Sequence, residues 1–157
     1  MFGSKPTHFY LCNGASEGYT PLNAFDCALL KAGVGNTNLI RMSSILPPGV
    51  VQIDSITLEP GSFVPLAYAS IESTTPKEVI SAAVAVAIPE DPALPGVIME
   101  YSARGHAEDV ERIVRNMAEE ALRYREYKIR EILSTVVEHR VEATGAAFAG
   151  LVLYTDK

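Results

Sequence analysis

Cysteine is scarce in this chain. Its two cysteines, Cys12 and Cys27, form no CxxC pair, which argues against a cysteine-based zinc site or a disulfide framework and suits a reducing compartment. Basic charge is short as well. Thirteen lysines and arginines against 19 acidic residues leave a net charge of −6, a sign that repels a phosphate backbone, so nucleic acid is not an expected partner. Long apolar runs are missing. The most apolar stretch, residues 79–88, is about half of the ~20 residues that span a bilayer, and the N-terminus carries a single lysine with no apolar run behind it. The expectation is a soluble, untargeted cytoplasmic protein with no membrane partner. His8, His106 and His139 lie far apart without an HExxH pattern, so no metal site is expected.

What is present is enough apolar material for one core: 157 residues, 48% of them hydrophobic, which predicts a single domain over 1–157. Residues 7–13 alternate polar and apolar and run into Gly14-Ala15-Ser16-Glu17-Gly18, a strand followed by a loop. Thr20 as N-cap and Pro21 at the first helical position open a helix whose apolar stripe is Leu22, Phe25 and Leu29 and which ends at Gly33. From Asn36 to Leu46 the pattern is extended until Pro47-Pro48-Gly49 stops it. Residues 50–58, 63–73 and 79–88 then read as strands, and Ala82, Ala83, Ala85 and Ala87 imply close packing.

After a proline-rich loop, residues 96–102 read as a short strand and 107–124 as an amphipathic helix. On that helix Arg112, Arg115, Arg123 and Arg125 interleave with Glu108, Asp109, Glu111, Glu119, Glu120 and Glu126, the pattern of a solvated face rather than a basic patch. The tail, 129–137 and 146–154, reads as a hairpin. Strands outnumber helices and occur in runs. The expected class is therefore α/β of the α+β kind, a layered sandwich of mostly antiparallel sheet flanked by helices. Gly33-Val34-Gly35 lacks the third glycine and the following helix of a dinucleotide fingerprint, and neither Ser43 nor Ser44 has GxSxG flanks.

The segment Gly35-Asn36-Thr37-Asn38-Leu39-Ile40-Arg41-Met42-Ser43-Ser44-Ile45-Leu46-Pro47-Pro48, together with Leu22-Asn23-Ala24-Phe25-Asp26 and Met99-Glu100-Tyr101, resembles the pyruvoyl-dependent arginine decarboxylases over nearly the whole chain. The resemblance implies self-cleavage between Ser43 and Ser44 into chains 1–43 and 44–157. The Ser44 hydroxyl attacks the Ser43 carbonyl, the resulting ester undergoes β-elimination, and the dehydroalanine left at position 44 hydrolyses to a pyruvoyl group with loss of ammonia. No external cofactor is needed. Such a carbonyl forms a Schiff base with a substrate amine and acts as an electron sink while carbon dioxide leaves.

Roles for individual residues follow from that resemblance. Asn38, six positions before Ser44 and on the same side if the strand is continuous, is assigned to the oxyanion of self-cleavage; Asn36 reads as an asparagine at a strand start. Glu100, among Val97, Ile98 and Met99, has an apolar setting that raises a carboxyl pKa, and it is the candidate acid that reprotonates the substrate. Asp26 is the candidate partner of a substrate guanidinium. Also implied are arginine as substrate, agmatine as product, and a homotrimer with active sites between subunits. The competing readings are a decarboxylase of another amino acid, an N-terminal-nucleophile hydrolase that keeps Ser44 intact, and an unprocessed paralogue without activity.

Overall fold

The computed structural model describes residues 5–155. The first strand, β1 (His8–Glu17), is longer than predicted, because Gly14 to Glu17 continue the ladder instead of forming a loop. Helix α1 (Pro21–Lys31) begins as expected: the Thr20 hydroxyl accepts the Asn23 N–H and Pro21 occupies the first turn. Gly14 is where the helix meets the strand, since a Cβ there would lie 2.2 Å from the Ala28 carbonyl oxygen. The predicted apolar stripe is only partly correct. Leu29 is buried and Phe25 half-buried, but Leu22 is 73% exposed, and the buried face is completed by Ala24 and Ala28.

The extended segment after Asn36 is not one strand. It divides into β2 (Asn38–Arg41) and β3 (Ile45–Leu46), which belong to different sheets. The strand predicted over 50–58 shrinks to β4 (Val51–Gln52), which pairs with only His8 and Phe9. Beyond it, Ile53, Ile56 and Leu58 pack on the core from a loop, so their apolar pattern reports burial without a ladder. The remaining elements follow the sequence: β5 (Phe63–Ser73), β6 (Val79–Pro89), β7 (Gly96–Arg104), α2 (Ala107–Arg123), β8 (Ile129–Arg140) and β9 (Gly145–Tyr154).

Two sheets result, a five-stranded one ordered β2-β5-β9-β1-β4 and a four-stranded one ordered β3-β7-β6-β8. Pairing is antiparallel except for β1 with β4 and β2 with β5. The sheets face each other across a core of Phe9, Ile80, Val84, Val86, Ile98 and Leu151. Helix α1 covers the outer face of the larger sheet through Ala24, Ala28 and Leu29 against Tyr10, Leu66 and Phe148. Helix α2 covers the smaller sheet through Val110, Val114 and Ala118 against Ala83 and Ala85. The order of layers is therefore helix, sheet, sheet, helix, and β6 and β9, covered on both faces, are buried almost throughout. The charged face of α2 carries ion pairs from Arg112 to Asp109 and from Arg123 to Glu119 and Glu120. Among the described residues no helix is long and apolar enough to cross a membrane.

The turn between β8 and β9 is held by one carboxylate. Glu17 Oε1 accepts the N–H groups of Glu142, Ala143 and Thr144 at 3.1, 2.7 and 3.0 Å, and Oε2 pairs with His139 Nε2. Desolvation works to raise the Glu17 pKa, but these hydrogen bonds outweigh it and hold the carboxyl below its usual range. A depressed folded-state pKa contributes stability that is present above the unfolded value and is lost as pH falls through the folded one. Glu17→Ala is expected to lower stability by about 1–2 kcal/mol at pH 7, with the difference from the parent shrinking on acidification, as read by chemical denaturation across that range. Equal stability of the two proteins at pH 7 would show that the turn does not depend on this carboxylate.

Candidate active site

The site begins where the chain changes sheets. Strand β2 runs parallel to β5 with Arg41 opposite Leu66, and the Met42 N–H still reaches the Leu66 carbonyl at 2.9 Å. On the other side, the Ser44 carbonyl accepts the Ile98 N–H at 2.7 Å, and β3 then pairs antiparallel with β7 as Ile45 opposite Val97 and Leu46 opposite Gly96. Ser43, exposed, lies between the two ladders and belongs to neither, while Ser44, half-buried, sits at a bend. Gly96 permits the close approach of β3, since a Cβ at that position would come 2.8 Å from the Ala87 carbonyl oxygen and 3.2 Å from Leu46 Cβ. The peptide joining Ser43 to Ser44 is thus anchored on both sides and left outside regular pairing. That is the condition for a hydroxyl to reach the carbonyl of the preceding residue, which an extended ladder forbids. The residues present fit a pyruvoyl group derived from Ser44.

Glu100 lies two residues beyond Ile98 on β7, roughly 7 Å along the strand, and by the two-residue period of a strand it shares the face of Ile98 toward the other sheet. Its neighbours Met99 and Tyr101 point the other way, toward α2. Glu100 is half-buried, and desolvation raises its pKa, with the Arg41 charge pulling in the opposite direction. Among the described residues, β7 has no strand on its outer side beyond Val97, and β5 has none there beyond Leu66. These two open edges are tied together by Ser102 Oγ, which donates to the Ser70 carbonyl at 3.0 Å. Arg41 fills the space that β2 vacates: its Nη2 donates to the Tyr68 carbonyl at 2.9 Å and its guanidinium lies 4.5 Å from the centre of the Tyr68 ring.

Of the five residues singled out from the sequence, the fold gathers Ser43, Ser44 and Glu100 at one edge of the sandwich. Asp26 is on the exposed face of α1, with the larger sheet between that helix and the layer that Glu100 faces. Leu22, Asp26 and Leu30, spaced at i, i+4 and i+8, form an exposed stripe there, with the two leucines 73% and 48% accessible. Asn38 is at the start of β2, where its Nδ2 donates to the Gly61 carbonyl at 3.0 Å. Because the strand breaks between Arg41 and Ile45, the expectation that Asn38 and Ser44 share one face of a continuous strand does not apply. The cavities of about 120 and 470 Å³ lie elsewhere, one beside Pro47, Pro48 and Arg130 and the other beside Glu59, Phe63 and Tyr154.

Comparison with known proteins converges on the same chemistry. The family model for pyruvoyl-dependent arginine decarboxylase matches residues 8–157. A pyruvoyl-dependent arginine decarboxylase of Methanocaldococcus jannaschii is 48% identical over 149 residues, covering 95% of this chain and 90% of that protein. Another, of Thermococcus sibiricus, is 38% identical over 156 residues and covers 98% of each. Among solved structures, a pyruvoyl-dependent histidine decarboxylase superposes with a TM-score of 0.52 at 15% identity, over 64% of this chain and 54% of that one, a likeness of fold alone. With a family model spanning almost its full length and relatives this similar, the chain belongs to the pyruvoyl-dependent arginine decarboxylase family.

Proposed function

We infer that this chain is a carbon-carbon lyase that decarboxylates L-arginine to agmatine and carbon dioxide after cleaving itself between Ser43 and Ser44. Processing turns one domain, 1–157, into chains 1–43 and 44–157. The observation that carries this reading is the anchored, unpaired Ser43–Ser44 peptide at the sheet crossover, with Glu100 on the adjoining strand.

Self-cleavage is the work of the chain's own groups. The Ser44 hydroxyl adds to the Ser43 carbonyl, the peptide nitrogen leaves, and the ester is broken by loss of the Ser44 α-proton. Chain 1–43 departs as a carboxylate, and hydrolysis at position 44 releases ammonia. Asn38 uses one amide N–H on Gly61, and the second is the donor we assign to the oxyanion. A pyruvoyl group at position 44 would supply the electron sink for loss of carbon dioxide from a substrate amine held there. Glu100 holds a proton for the substrate α-carbon because its half-buried setting favours the neutral acid. Asp26 takes the guanidinium through paired hydrogen bonds, which sets the length of side chain accepted.

A single chain keeps Asp26 and Glu100 in different layers, so the complete site draws them from neighbouring subunits of a homotrimer. The exposed Leu22, Asp26 and Leu30 stripe is the surface offered to the neighbour. Arginine is favoured over other amino acids by the need for a cationic side chain opposite Asp26.

Glu100→Gln is expected to leave self-cleavage intact and to abolish carbon dioxide release. In the parent, kcat falls as pH rises through the raised Glu100 pKa, because only the protonated acid can deliver a proton; near-normal turnover of the variant would remove Glu100 from the mechanism. Asp26→Asn is expected to weaken arginine binding more than tenfold, a loss of more than ~1.4 kcal/mol. Co-refolding the two variants should restore activity through mixed trimers that hold intact sites, and no recovery would mean that each site is built within one chain.

A further inference from the structure

The facing edges of β5 and β7 are joined at two places. One is the crossover itself, which reaches from the Met42 N–H on the Leu66 carbonyl to the Ser44 carbonyl on the Ile98 N–H. The other is a side chain. Ser102 Oγ donates to the Ser70 carbonyl at 3.0 Å, further along the same two strands. The Leu66 and Tyr68 carbonyls take Met42 and Arg41 on the edge that β2 leaves, so the Ser70 carbonyl, two residues on, points to that edge as well. Glu100 lies between the two joins on β7, two residues from Ile98 and two from Ser102. By the period of a strand all three share the face turned toward the larger sheet, while Met99, Tyr101 and Ala103 pack against α2.

We propose that Ser102 is a positioning residue whose part begins when the chain is cut: with the Ser43–Ser44 bond gone, its hydrogen bond to Ser70 is the remaining join between the two edges and keeps β5 closed over Glu100. The proposal rests on the reading of self-cleavage and of Glu100 as the acid.

Little else at this edge does the same work. Among the described residues the Ser102 to Ser70 bond is the one polar contact between β5 and β7. Toward the layer between the sheets β5 turns Ala67, Ala69 and Ile71, and two alanines offer short side chains to the strand opposite. The turn that follows β5 leads into β6, one strand further in, so it does not hold the β7 edge. The other side of the sandwich is built differently. There β1 is joined to β8 twice by side chains, through Asn13 Nδ2 on Thr135 Oγ1 at 2.7 Å and through Glu17 with His139, and self-cleavage touches neither link. Only the edge that carries Glu100 loses a covalent join on processing. A carboxyl whose cover swings away is hydrated and free to turn, and a small misplacement of a catalytic group is costly in rate.

The test uses the full chain with Ser102→Ala and with Ser102→Thr, which keeps a hydroxyl. Intact mass followed in time reads self-cleavage, and Ser102→Ala should cut within about twofold of the parent's rate, because the uncut crossover still joins the edges. After processing, kcat for arginine should fall about tenfold in Ser102→Ala, with KM changed less than about twofold. Ser102→Thr should keep a kcat near the parent's. Melting curves at one protein concentration add a readout free of turnover: Ser102→Ala should lower the midpoint of cut protein further than that of uncut Ser44→Ala protein. That difference is expected whether or not Glu100 is the acid, which separates the two claims. Equal lowering in cut and uncut protein overturns the proposal, and so does an unchanged kcat. Ser102→Thr as impaired as Ser102→Ala would assign the effect to packing and overturn it too. A Ser102→Ala chain that fails to fold or to cut would place the residue's part before cleavage, against the proposal. A parent that never cuts sinks the reading of self-cleavage and this proposal together, and its mass shows that it is the first that failed.

Discussion

Everything chemical in this molecule depends on one passage of chain, the residues between Arg41 and Ile45 that leave the larger sheet and join the smaller. A strand can neither pair with two sheets at once nor stay straight between them. The fold therefore places an unpaired, bent peptide at a position fixed on both sides by main-chain hydrogen bonds. The anchors are the Met42 N–H on Leu66 and the Ser44 carbonyl on Ile98, and the second belongs to the strand that carries Glu100. The Ser43–Ser44 peptide and Glu100 are thus brought to one edge by a single piece of topology.

The same topology leaves two strand edges uncovered. Open edges invite pairing with other chains, and here they are closed from within, by Arg41 on the Tyr68 carbonyl and by Ser102 on the Ser70 carbonyl. Of the two, the Ser102 contact joins one sheet to the other, two residues from Glu100. Burial raises the Glu100 pKa, while the Arg41 charge and a backbone hydrogen bond at Glu100 pull it down.

Much of this was legible in the residues. Thr20 and Pro21 start α1, the alternation and small residues of β6 and β9 mark strands covered on both faces, and the period of α2 fixes its buried side. Ser43, Ser44 and Glu100 were singled out by family resemblance and by the apolar setting of Glu100, and the fold places them at one edge. What could not be read was long-range. No local signal says that β2 and β3 belong to different sheets, because Leu39 to Leu46 is apolar enough for a single strand. The segment at Ile53, Ile56 and Leu58 has the composition of a strand but packs its apolar side chains on the core from a loop, and Gly14 stays in β1 because β9 pairs with it there, its missing side chain leaving room for α1. Asp26 and Asn38 were assigned by family resemblance, which no local pattern could replace. The fold locates their backbones, and the contacts a second subunit would add lie outside a single chain.

The central claim is that Ser44 becomes the cofactor, and a denaturing intact-mass spectrum of freshly purified protein tests it most directly. Two chains, 1–43 and 44–157, are expected, the larger lighter by one ammonia than the same chain beginning with serine. A larger chain with an intact N-terminal serine would contradict the account and point to a hydrolase, and a single uncut mass would contradict self-cleavage altogether.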